Sequence, residues 1–156
     1  MKEEVFLILE DTSLERYSSE KIFGNIYLNS AYRYFPEKDW NDFVVIILGW
    51  WIDSLAKLHS NQSSEEIFNF MDGSYAFLIK KIDTKLCHLI FYDTGNDVVI
   101  EEIINSSFKK ISESIFMSAC RLEEYCLNRN WIDDDIRELL RSIKKYKSIL
   151  LSSHIS

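Results

Sequence analysis

"DFVVIILGWWIDSLAKL", residues 42–58, holds ten unbroken non-polar residues from Phe43 to Ile52, with two adjacent tryptophans. A membrane-spanning helix needs roughly 18–20 apolar residues, and this run stops at Asp53. Its second half is amphipathic: Ile47, Trp51, Leu55 and Leu58 share one stripe, while Asp53 and Lys57 form an i,i+4 pair outside it. The pattern predicts a core helix over about 41–59, buried nearly all round in its first half, and not an anchor. Asp39 is expected to cap its start, and Asp42 to place charge in its first turn. Gly49, about 1 kcal/mol poorer than alanine in a helix, is expected to admit a close neighbour. Trp50 and Trp51, with Ile47 and Leu55, are assigned to the core. Adjacent helix residues point about 100° apart, so the two indoles make no single stacking platform.

On the N-terminal side of this helix, "EVFLILE" (residues 4–10) is short and apolar, and predicts a strand buried on both faces. The polar stretch 11–24 is compatible with a loop or a short helix. Residues 25–35 predict a second strand, with Ile26 and Leu28 on one face and Asn25, Tyr27, Asn29 and Arg33 on the other, ended by Pro36. Tyr27, Tyr32 and Tyr34 are candidates for an interface, having an apolar ring and a polar tip. On the C-terminal side, Asp72-Gly73 sits between two strand-like runs, 65–71 and 74–82, which predicts a hairpin with a type I′ turn. Residues 85–93 add a third strand, "DTGND" a turn, and 98–103 either a strand or the start of a helix. Phe108, Ile111, Ile115, Ala119, Leu122 and Cys126 then recur at helical spacing. A last helix over about 132–151 carries Ile136, Leu139, Leu140, Ile143, Tyr146 and Leu150, with Asp133–Asp135 at its start. The expected class is α+β: one domain over 1–156, a largely antiparallel sheet with a central apolar helix and two C-terminal helices packed on it.

Composition narrows the function. The chain is 47% hydrophobic and 14% aromatic, with net charge −7 and pI near 5.0. That balance removes the phosphate attraction behind non-specific nucleic-acid binding and suits a basic protein partner. No positive n-region precedes the short run Val5–Leu9; Glu3 and Glu4 stand there instead. Cys87, Cys120 and Cys126 form no disulfide framework, so reduced thiols and a cytoplasmic location are expected. His59, His88 and His154 are scattered, and Cys87 and His88, neighbours in a strand, face opposite ways. No nucleophile elbow, phosphate loop or dinucleotide fingerprint occurs in the sequence. No catalytic residue, metal ligand or cofactor is assigned, and no membrane contact is expected.

A strand ending in Phe35-Pro36, then Trp40-x-Asp42-Phe43, "ILGWW" on a helix and "FMDGSY" at a hairpin together resemble a group of small bacterial immunity proteins. Those proteins are encoded beside polymorphic and contact-dependent growth-inhibition toxins. The resemblance spans about residues 25–82, and Ser74 stands where the group often has proline. It implies a cytoplasmic protein that binds and neutralises the C-terminal domain of a cognate toxin, in many such systems a basic nuclease. An intracellular adaptor or antitoxin-like regulator, or an enzyme with a sparse site, would share the composition, and a homodimer stays open. Strand direction proposes the working surface: an up–down–up meander puts Asp72, Asp93 and Asp97 at one end of the sheet. Asp133, Asp134 and Asp135 are a second acidic candidate.

Overall fold

The computed structural model describes residues 4–17 and 21–155. Readings on residues 1–3 and 18–20, and on the His154 side chain, lie outside those described. The chain is α+β, but its strands form two antiparallel sheets rather than one.

The first sheet comprises β1 (Phe6–Arg16), β2 (Ile22–Asn29), β3 (Tyr34–Phe35) and β4 (Asn41–Asp42). β1 runs six residues beyond Glu10, because the polar stretch alternates and buries Leu14. Its register against β2 shifts between Glu10 and Glu15, and Ser13 bridges the irregularity: its hydroxyl donates to Glu10 O and accepts from Asn25 N. β1 is not buried on both faces; Leu7 and Leu9 point inward, whereas Phe6 and Ile8 stay partly exposed. Residues 25–35 are likewise two strands. Ser30 N–H donates to Arg33 O and Ser30 Oγ accepts from Arg33 N, a turn that folds β3 back onto β2.

The second sheet is a meander of β5 (Glu65–Asn69), β6 (Tyr75–Lys81), β7 (Leu86–Asp93) and β8 (Val98–Ser107), paired in that order. Phe68, Phe77, Ile79, Leu89 and Phe91 fill its inner face. Between the sheets and two further helices runs α1 (Val44–His59), which packs on β2, β5, α2 (Phe108–Asn128) and α3 (Asp134–Ile155). Trp51, Ile47 and Leu55 are fully buried, and Trp51 Nε1 donates to Asn69 O at 2.9 Å. The indole stands edge-on to Phe68, Phe70 and Phe77, tying the helix to the meander.

Five expectations at this helix need correcting. Asp39 is not its cap: it has φ 62° and turns the chain into β4, which pairs with β2 before the helix begins. Asp42 is fully buried and lies outside the helix rather than in its first turn. Trp50, one residue round from Trp51, is 47% exposed, since it shares with Asp53 and Lys57 the stripe of the helix that its neighbours leave open. Gly49 admits no close neighbour; a Cβ there would meet nothing within 4 Å, because it borders a groove of about 160 Å³ between α1 and α3. Lys57 reaches Glu66 at 3.8 Å, across to β5, rather than Asp53.

Candidate interaction surface

Asp42 organises the end of the molecule where the acidic loops lie. Its Oδ1 accepts from Phe43 N at 2.7 Å and Asp72 N at 3.1 Å; its Oδ2 accepts from Trp40 Nε1 at 3.0 Å and Met71 N at 3.1 Å. A buried carboxylate persists only when such donors replace its water. The tryptophan and aspartate of Trp40-x-Asp42-Phe43 thus meet the turn of "FMDGSY" in space.

That contact changes the turn. Phe70 N–H donates to Tyr75 O, so the loop between them holds four residues rather than two. Gly73 alone in it has positive φ, at 103°, which rules out the type I′ form. The wider loop brings the Met71 and Asp72 amides to Asp42. Gly73 is needed twice over, since a Cβ there would come within 3.0 Å of the Trp40 ring.

Ser74 O accepts from both Thr94 N, at 2.7 Å, and Thr94 Oγ1, at 3.0 Å. The β5–β6 and β6–β7–β8 turns therefore share one rim, with Tyr75 paired to Asp93. Asp72 and Asp97 are exposed on it. Asp93 is half-buried and busy: Oδ1 accepts from Gly95 N and Asn96 N, and Oδ2 from Asn96 Nδ2. It builds the turn as aspartates commonly do. Among the described residues, no lysine or arginine pairs with Asp72, Asp93 or Asp97.

The second acidic run is occupied locally. Asp133 caps α3 through Ile136 N, Asp134 pairs with Arg137, and Asp135 reaches Lys21 at 2.7 Å. No hydrogen bond or ion pair among the described residues joins this run to the rim.

Two features escaped the sequence. On the outer face of the first sheet, Glu10 accepts from Tyr27 Oη at 2.7 Å and from Asn25 Nδ2 at 2.9 Å. Those bonds, the tyrosine's first, hold the Glu10 carboxyl below its usual range, while Glu10 pushes neighbouring Asp39 up. Tyr27 is buried, Tyr34 stands edge-on to it, and Tyr32 is 82% exposed at the turn. Pairing across β1 and β2 was the available signal, hidden by reading 11–24 as irregular. The other missed feature is the outer face of the second sheet, where Ile67, Leu78 and Ile90 stand side by side across three strands. The near-continuous apolar runs of β6 and β7 signalled it, since a strand with one wet face normally alternates.

Nucleophilic chemistry finds little support. Burial pushes Cys87 up to about 12 and Cys126 up to about 11, far from a reactive thiolate. All three cysteines are free. His59 contacts the rings of Phe108 and Tyr146 at the edge of a 550 Å³ cavity that Phe116, Met117 and Leu150 also line. Burial first, then Lys81, lowers its pKa to about 4, so it is neutral at pH 7, and its Nε2 has no partner. Among the described residues, no group of three or more histidines, cysteines and carboxylates is placed to hold a metal. No described helix is long and apolar enough to cross a membrane.

Compared with family models, curated proteins and solved structures, the chain matches none significantly.

Proposed function

We propose that this chain is an immunity protein that binds the C-terminal domain of a cognate bacterial toxin and neutralises it in the cytoplasm. The observation that carries this reading is the rim of Asp72, Asp93 and Asp97, three carboxylates that no lysine or arginine among the described residues pairs with, on a chain of net charge −7. Opposite charge speeds encounter with a basic domain and disfavours wrong partners. The sequence resemblance supports the same class, and its Trp40-x-Asp42-Phe43 and "FMDGSY" elements jointly build the support of that rim. Neutralisation needs no reaction, only a surface that covers the toxin's active cleft or its path to substrate.

The test is to identify a toxin C-terminal domain in a gene adjoining that of this chain and to co-express the two. Cells producing both are expected to grow, and cells producing the toxin domain alone to stop. Equal arrest in both cultures, with this chain present and folded, would overturn the reading.

A further inference from the structure

The outer face of the β5–β8 sheet is built like the centre of an interface. Register places Ile67, Leu78, Ile90 and Glu102 in one row across four strands, and Asn69, Ala76, Tyr92 and Val99 in the next. Alternation turns Phe68, Phe77 and Leu89 inward and these rows outward, with Ala76 fully covered. The helices lie on the other side: α1 packs against β5, and α2 touches β7 at the inner face near Cys87 and Phe108. Ile67 is 55% exposed, Ile104 68% and Val99 51%. Four strands about 4.8 Å apart and roughly seven residues long span on the order of 450 Å². Within that area Ile67, Leu78, Ile90, Tyr92 and Val99 supply the apolar part, among Glu65, Asn69, Lys80, His88 and Glu102, and an apolar cluster rimmed by polar groups is a usual mark of an interaction site.

The margin of the face selects its occupant. Asp72, Asp93 and Asp97 border it at the turn end, and Glu65 and Glu102 lie on it, against Lys80 as the one lysine in its rows. Glu102 takes a 2.7 Å contact from His88 Nε2. Two copies of this face aligned rim to rim would set carboxylates against carboxylates, a costly arrangement. A basic protein with an apolar centre meets the face without that conflict. Apolar centre and charged margin are also the ordinary anatomy of protein interfaces.

We propose that this outer face, with Ile67, Leu78, Ile90 and Tyr92 at its centre and the acidic rim at its margin, is where the basic toxin domain docks. The proposal rests on the immunity reading and adds to it the surface that does the binding.

The experiment measures affinity of an inactivated form of that toxin domain for three proteins: the wild type, an Ile67→Lys/Ile104→Lys variant and a Tyr32→Ala control. Both isoleucines are mostly exposed on opposite edge strands, so their replacement spares the core, and Ile67→Ser/Ile104→Ser repeats the test should the lysines disturb folding. The double variant is expected to bind at least about tenfold more weakly, because each lysine replaces an exposed apolar side chain with a charge of the same sign as the basic domain, and the control to bind normally. Wild-type binding with an unchanged double variant removes the face and leaves the immunity reading standing. No wild-type binding to the toxin domain removes both. A wild-type dimer in sedimentation velocity that the double variant dissolves assigns the face to a second copy instead, and overturns the proposal.

Discussion

The two sheets of this protein finish their outer faces in opposite ways. On the first sheet, Glu10, Asn25 and Tyr27 bond to one another, and Asn41 bonds to Asn25. Even its β1 edge is partly occupied, as Leu7 N donates to Ser114 Oγ and Leu9 O accepts from Arg121, both on α2. The second sheet pairs its four strands in sequence order, with two register shifts between β7 and β8, but leaves isoleucines and a valine in water. A network that satisfies its own groups rigidifies a face and leaves little for a partner. An uncovered apolar face keeps its hydrophobic free energy for association. That difference is why we propose the second sheet as the binding face.

Breaking the layer beneath it has the largest expected effect. Trp51→Ala should cost about 3–5 kcal/mol, a large share of a typical 5–15, read as the midpoint shift in urea unfolding. A variant that keeps its midpoint but loses binding would move Trp51 from core to interface. Asp42 joins the sheets, with β4 on one and the Met71–Asp72 amides at the end of the other. Asp42→Ala leaves four part-buried donors without their carboxylate and, with water reaching the amides of the exposed Met71 and Asp72, should cost about 3 kcal/mol, the upper end for one orphaned group. Amide exchange at Met71 and Asp72 should quicken in that variant; unchanged exchange would deny the link.

Smaller changes sharpen the contrast. Tyr27→Phe removes the hydroxyl bond to Glu10 and should cost about 1 kcal/mol without altering toxin affinity; lost affinity in a stable variant would return function to the first sheet. The shared helical layer carries a pH signature. The pKa of His59 falls from 6.5 unfolded to about 4 folded, so the unfolded chain binds the extra proton first. Stability from this group is whole above pH 6.5 and drains as pH falls toward 4. Melting temperature should therefore drop across that window, and less steeply in His59→Phe; parallel slopes would contradict the burial of the neutral ring. Replacing Cys87, Cys120 and Cys126 together by alanine should leave toxin binding unchanged in folded protein. Lost binding would point to thiol chemistry.

The sequence revealed most of the periodic structure. α2 and α3 follow from their spacing, and Phe108, Ile111, Ile115, Ala119, Leu122 and Cys126 are all buried as the period requires. The meander and its shared rim follow from turn residues and strand direction. The rest depends on contacts between distant residues. Asp42 looked like a helix-start charge because local pattern cannot show that Met71 and Asp72 return to it. Trp50 looked like core because hydrophobicity does not say which side of a helix the protein leaves open. β1 past Glu10 looked irregular because its ladder is mended by one serine hydroxyl. The open face was least legible: an apolar strand reads alike whether its second face meets another layer or a partner.

The claim that a basic partner meets this acidic, apolar face is tested most directly by association rates over a salt series. Surface plasmon resonance of the inactivated toxin domain would compare wild type with Asp72→Asn/Asp97→Asn, which spares the turn-forming Asp93. The variant should associate several-fold more slowly at low ionic strength with little change in dissociation. The difference should close near 1 M salt, where the screening length is about 3 Å. Identical association at every salt concentration, with both proteins folded, would contradict the account.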